Sequence, residues 1–177
     1  LSGSGNNVVT ITGTVNTATY PGSSLTYLYG NTAAKMTFPS TILPSTYTLF
    51  YVARYNGTNQ GRIFTGPSTT VNWLSGFWQA KTGVAFHNNW ITQTTTNVHS
   101  GWFQATDQND LFRSAKVNRT TGTPGNPSYV SSMMINGGWS GSEFTDWAVA
   151  CVVVYNRALT STEYTNIENE LAAKYLL

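Results

Sequence analysis

Trp147-Ala148-Val149-Ala150-Cys151-Val152-Val153-Val154-Tyr155 is the stretch on which the fold turns. It carries no charge, and its run of valines ending in tyrosine favours an extended strand. Bulky groups fall on both alternating faces, and a strand apolar on both faces must be covered on both. Tyr47-Thr48-Leu49-Phe50-Tyr51-Val52-Ala53 has the same character. Both strands are therefore expected at the centre of a sandwich, with the outer face roofed by a loop or helix. Cys151 then reads as a small buried hydrophobe rather than a nucleophile.

Working outward, Thr160-Ser161-Thr162-Glu163 has the pattern of a capping box. Tyr164, Ile167, Leu171 and Tyr175 follow at helical spacing. This predicts a C-terminal helix. Glu163, Glu168 and Glu170 near its start and Lys174 in its last turn suit the helix dipole. All three glutamates are expected to be solvated.

Upstream, short strand-like runs recur between Gly, Pro, Asn and Ser: 8–12, 25–29, 35–38, 47–55, 62–65, 74–79, 84–87, 99–106, 110–117, 129–136 and 146–155. Many short strands with frequent turn signals predict an all-β, antiparallel two-sheet sandwich. Residues 1–7 are rich in Gly, Ser and Asn and are expected to be a flexible start, with a single domain over 8–177.

The segment from Glu143 through Tyr155-Asn156-Arg157-Ala158-Leu159-Thr160 to Leu171-Ala172-Ala173-Lys174-Tyr175 resembles the closing motif of LamG-like jelly-roll domains. These belong to the concanavalin A-like lectin/glucanase superfamily. Thr48–Arg54, Gly61–Gly66, Trp73–Trp78 and Gly83–His87 are also similar, so the likeness covers about residues 45–177. It implies a jelly roll with a short C-terminal helix. It says little of function, because this sandwich hosts lectins, hydrolases, lyases and interaction modules. Cys151 stands where such domains often carry Glu, and the family's calcium-binding acids have no one-to-one match.

Composition excludes several functions. The net charge is +2, from nine basic and seven acidic residues, with no basic stripe to displace counterions from nucleic acid. No apolar run is long enough for membrane insertion. The seven acids begin only at Asp107. A glycosidase needs two carboxylates facing each other across the sugar. Asp107 with Asp110, and Glu143 with Asp146, are the pairs available, and each reads as turn or strand-entry acids. A nucleophile elbow and zinc-ligand spacing are both missing. The chain is therefore read as non-catalytic, with no cofactor. Asp107 and Asp110 are the weak candidates for holding calcium, since two carboxylates make a thin oxygen cage.

Sugar recognition asks for less. Rings stack on pyranose C–H faces, while amides and hydroxyls bond the sugar hydroxyls. Six Trp and ten Tyr are present among abundant Asn, Ser and Thr. Trp73, Phe77, Trp78, Trp102 and Trp147 are assigned to the core. His87-Asn88-Asn89-Trp90 follows a strand, and Trp139 lies in the Gly-rich stretch Asn136-Gly137-Gly138-Trp139-Ser140-Gly141-Ser142. Loops on a rigid sandwich are where binding concentrates. The candidate ligand-binding residues are His87, Asn88, Asn89, Trp90, Asp107, Asn109, Asp110 and Trp139. The expected function is a non-catalytic, lectin-like or adhesion module for a polysaccharide or glycoconjugate. The expected place is extracellular, at a cell or virion surface, within a larger chain. A structural or protein–protein interaction module is the alternative, and a polysaccharide hydrolase or lyase the weaker third reading.

Overall fold

The computed structural model describes residues 9–67, 72–94, 97–125, 131–137, 139 and 142–177. The expected flexible start at 1–7 lies outside them. The described chain forms two antiparallel seven-stranded sheets and a C-terminal helix. The first sheet runs β1 (Thr10–Thr12), β4 (Lys35–Thr37), β13 (Met134–Ile135), β6 (Phe64–Thr65), β7 (Trp73–Trp78), β8 (Lys81–His87) and β9 (Trp90–Thr92). The second runs β12 (Val117–Asn118), β11 (Phe112–Ser114), β10 (Phe103–Gln108), β5 (Thr48–Tyr55), β14 (Trp147–Tyr155), β3 (Thr26–Gly30) and β2 (Asn16–Thr19).

The two apolar strands lie side by side at the centre of the second sheet, as their composition demands. On β5, Leu49, Tyr51 and Ala53 enter the core between the sheets, and Phe50 and Val52 face the other way. Strand β14 follows the same alternation until its register shifts between Val149 and Cys151. The extra residue puts both Ala150 and Cys151 on the outer side, as a β-bulge does.

The roof over that outer side is α1 (Ser161–Tyr175). Its start carries the full capping box between Thr160 and Glu163, and Leu176 closes it in a left-handed conformation. Leu171 and Tyr175 pack with Phe50, Val52 and Leu159, and Tyr164, Ile167 and Cys151 border them. Such a second apolar layer is what lets a central strand bury both faces.

Four expectations need correction. Glu168 is not solvated: it is 1% exposed, accepts from Thr106 Oγ1 at 2.7 Å, and pairs with Arg113 Nε at 2.8 Å. Cys151 is half-buried rather than fully enclosed. Trp78 and Trp102, expected in the core, are half-buried on outer faces, whereas Trp73, Phe77 and Trp147 are core. Asp107 sits inside β10 rather than in a turn. Strands β2 and β9, only four and three residues long, lie outside the strand-like runs read from the sequence.

Candidate functional site

Strands β7, β8 and β9 turn one set of side chains into the sandwich and the other outward. Phe77, Ala85 and Ile91 belong to the inner core. Alternation therefore sends their neighbours Trp78, Phe86 and Trp90 to the outer face of the first sheet. There Trp78 and Trp90 have ring centroids 5.1 Å apart at 59°, and Phe86 and Trp90 meet edge-on at 5.1 Å. Lys81 holds its ammonium 4.8 Å from the Trp78 ring centre.

A polar arm extends this aromatic patch. Trp78 Nε1 donates to Glu143 Oε1 at 2.9 Å. Glu143 Oε2 lies 2.6 Å from Arg62 Nε, and Arg62 Nη1 donates to Asn72 Oδ1 at 2.7 Å. The Arg62 guanidinium stands 5.7 Å from the centre of the Trp139 ring. Burial lowers the Arg62 pKa from its ordinary value, and the Glu143 carboxylate acts in the opposite direction. Gly61 makes the arrangement possible, because a Cβ there would stand 2.0 Å from the Glu143 carbonyl oxygen. With only hydrogen at that position, Arg62 N reaches Glu143 O at 2.8 Å.

Trp90 and Trp139, distant in sequence, are thus joined in one array by Trp78, Glu143 and Arg62. Both are half-buried, so neither is a free flag nor a core plug. Asn88 and Asn89 are exposed on the β8–β9 turn, where Asn88 takes φ 56°. Asn89 donates to Thr123 O at 3.0 Å. Asn109 and Asp110 occupy the β10–β11 turn, with Asn109 Nδ2 on Ser45 O at 2.6 Å and Asp110 exposed.

His87 and Asp107 are placed differently from the expectation. Asp107 is wholly buried between the sheets. Its Oδ1 accepts from Tyr47 OH at 2.9 Å, and its Oδ2 accepts from Ser75 Oγ at 2.5 Å. His87 Nε2 approaches Oδ2 at 3.2 Å, Nδ1 faces Asn109 O at 3.0 Å, and the imidazole stacks on Trp73. This group clamps the two sheets together. Although Ser, His and Asp meet here, the Ser75 hydroxyl donates to the carboxylate, whereas nucleophile activation needs it directed at the base. Asp107 and Asp110 also do not converge, one being interior and the other exposed. Among the described residues, no three His, Cys, Asp or Glu groups are placed to hold a metal ion. Glu143 and Asp146 are likewise committed separately, Asp146 Oδ2 accepting from Asn59 N and Nδ2 at 3.0 and 2.9 Å.

Arg62, Asn72, Trp78, Phe86 and Glu143 were not foreseen as one site. Phe77-Trp78 offered a signal, since adjacent aromatics on a strand cannot both face the core. The partnership of Arg62 with Glu143 offered none.

No protein-family model matches this chain, and no curated protein sequence matches it significantly. Solved structures do share the fold. Domain 4 of a GH43 extracellular arabinanase from Geobacillus stearothermophilus, solved with arabinotriose, superposes with a TM-score of 0.65 at 17% identity, over 90% of this chain and 87% of that one. The binding domain of Paraclostridial Mosquitocidal Protein 1 gives 0.64 at 10% identity, over 94% and 48%. A structure of botulinum neurotoxin type C, whose cell entry is dependent upon interaction with two ganglioside molecules, gives 0.59 at 12% identity, over 94% and 47%. This chain thus spans about half the length of the toxin structures. At these identities the likeness establishes the sandwich and nothing finer. Among the described residues, no helix is long and apolar enough to cross a membrane.

Proposed function

We propose that this chain is a non-catalytic glycan-binding module of the LamG-like, concanavalin A-like kind, formed as one domain and displayed outside the cell. The observation that carries this reading is the unbroken run Trp90–Trp78–Glu143–Arg62–Trp139 across the outer face of the first sheet. Half-buried rings offer stacking surface, and the buried Arg62–Glu143 pair holds them in place. Asn88 and Asn89 adjoin Trp90 and present exposed amides to sugar hydroxyls, with Asn109 and Asp110 on a nearby turn. His87 and Asp107 hold those turns from within rather than touching the glycan. The arabinotriose bound by the arabinanase domain and the gangliosides on which cell entry of botulinum neurotoxin type C depends favour the same class of ligand.

The test is a glycan-array screen with and without EDTA, followed by calorimetry on the best oligosaccharide. Trp90→Ala and Trp139→Ala should each weaken binding about tenfold or more, with the fold intact by circular dichroism. Failure of every glycan to bind, or full binding by both variants, would overturn the assignment. Turnover of a polysaccharide that disappears in Glu143→Gln would replace it with a hydrolase.

A further inference from the structure

The outer face of the second sheet carries three polar side chains along β10: Gln104, Thr106 and Gln108, paired in register with Val52, Phe50 and Thr48. Two of them are satisfied. Thr106 donates to Glu168, and Gln108 Nε2 donates to Thr48 Oγ1 at 3.0 Å and Leu159 O at 2.9 Å. Gln104 is not: it is 2% exposed, and neither its amide nitrogen nor its amide oxygen has a hydrogen-bond partner. Leaving both halves of a buried amide unpaired is costly, and native proteins rarely do so without a reason.

Gln104 lines a cavity of about 160 Å³ together with Trp102, His99, Lys116 and Leu177. That is small beside the roughly 300–1,000 Å³ of pockets that enclose whole small molecules. It suits one substituent of a ligand whose remainder lies outside. Trp102 stands at the cavity wall, held by Tyr20 and Tyr27 at centroid distances of 5.0 and 5.1 Å and by the Arg54 guanidinium at 5.1 Å. A ring fixed on several sides loses little freedom when a ligand stacks on it. His99 accepts or donates at Ser114 Oγ at 2.9 Å, and burial together with nearby Arg119 lowers its pKa to about 4. The His99 side of the wall is therefore neutral at physiological pH, and Lys116 carries the one charged side chain among the lining residues.

We propose that this cavity is a second ligand site, on the sheet opposite the Trp78–Trp90 face, and that it takes the acetamido group of an N-acetylated sugar. The chemistry is reciprocal. The Gln104 amide offers one acceptor and two donors. A secondary amide offers an N–H and a carbonyl with the matching polarity, and its methyl fills the apolar part of the cavity. The pyranose ring rests against Trp102. Both Gln104 amide atoms are covered in this structure, so admitting the group requires the exposed wall side chains of Lys116 and Leu177 to shift. The site does not rest on the glycan reading of the first sheet.

The test is nuclear magnetic resonance on the full chain, following the Gln104 side-chain amide and the Trp102 indole. Methyl glycosides of N-acetylglucosamine and N-acetylgalactosamine are titrated against those of glucose and galactose, with an N-acetylated dipeptide amide as a further arm. Only the N-acetylated sugars should shift both signals, and saturation transfer should be strongest at the acetamido methyl. Gln104→Leu should weaken that binding about tenfold. The wild-type shifts decide the matter even where Gln104→Leu fails to fold. Equal response to glucose, equal or stronger response to the dipeptide, or a Gln104 signal unmoved by every sugar would overturn the proposal.

Discussion

His87 presents each ring nitrogen to an acceptor: Nε2 lies 3.2 Å from Asp107 Oδ2, and Nδ1 lies 3.0 Å from the carbonyl of Asn109. A carboxylate and a carbonyl only accept, so satisfying both requires both imidazole protons. Burial is the largest single influence on His87 and by itself lowers its pKa, but Asp107, the Asn109 carbonyl and Asp110 together raise it above the usual histidine value. A group whose pKa is higher folded than unfolded stabilises the fold fully below its unfolded pKa, and that stability is lost as pH rises through the folded value. Urea melts from pH 6 upward should therefore show stability declining through the folded-state pKa of His87. His87→Gln should flatten that decline. A wild-type profile already flat over this range would refute the clamp.

The pair of Arg113 and Glu168 ties α1 to the outer side of β10 and β11. Glu168→Ala leaves Arg113 and Thr106 without their acceptor under the helix. A loss of about 2–3 kcal/mol is expected, measured by denaturant unfolding. The expectation fails if the variant is as stable as wild type, because that is how a solvated helix glutamate behaves.

Gly61 permits the close passage of residues 61–62 along residues 143–144. Ala at this position pushes its methyl against the Glu143 carbonyl oxygen, a backbone atom that cannot rotate away. Gly61→Ala should cost about 1–3 kcal/mol and also shift Glu143, altering the Trp78 indole resonance. A destabilised variant with an unmoved Trp78 signal would detach Gly61 from the site.

Cys151 lies under the helix, and burial raises its thiol pKa, only partly opposed by Tyr175 and Lys174. The thiolate is the reactive form. Labelling with a disulfide reagent at pH 8 should be slow in the native protein and fast in urea. Equal rates in both would show that the helix does not cover the thiol.

The parts of the fold visible in the residues alone were those governed by local rules. Uncharged runs with bulky residues on both alternating faces identify β5 and β14 as central strands packed on both sides, although β14 is only half-buried beyond Val149, and four residues at Thr160–Glu163 identify the start of the helix. Both signals act within a few residues of chain, where backbone geometry and capping chemistry leave few options. Trp90 and Trp139 could also be singled out, because turn-forming neighbours surround each of them.

Long-range packing decided the remainder. Glu168 reads as a helix-surface charge until the fold brings Thr106, 62 residues away, against it. Asp107 reads as a turn acid until strand pairing carries it between the sheets to Tyr47, 60 residues distant. The union of Trp90, Trp78, Glu143, Arg62 and Trp139 depends on two strands and two loops meeting on one face. Polarity and period dictate which way a side chain points, but only the order of strands in the sheets dictates what it finds there.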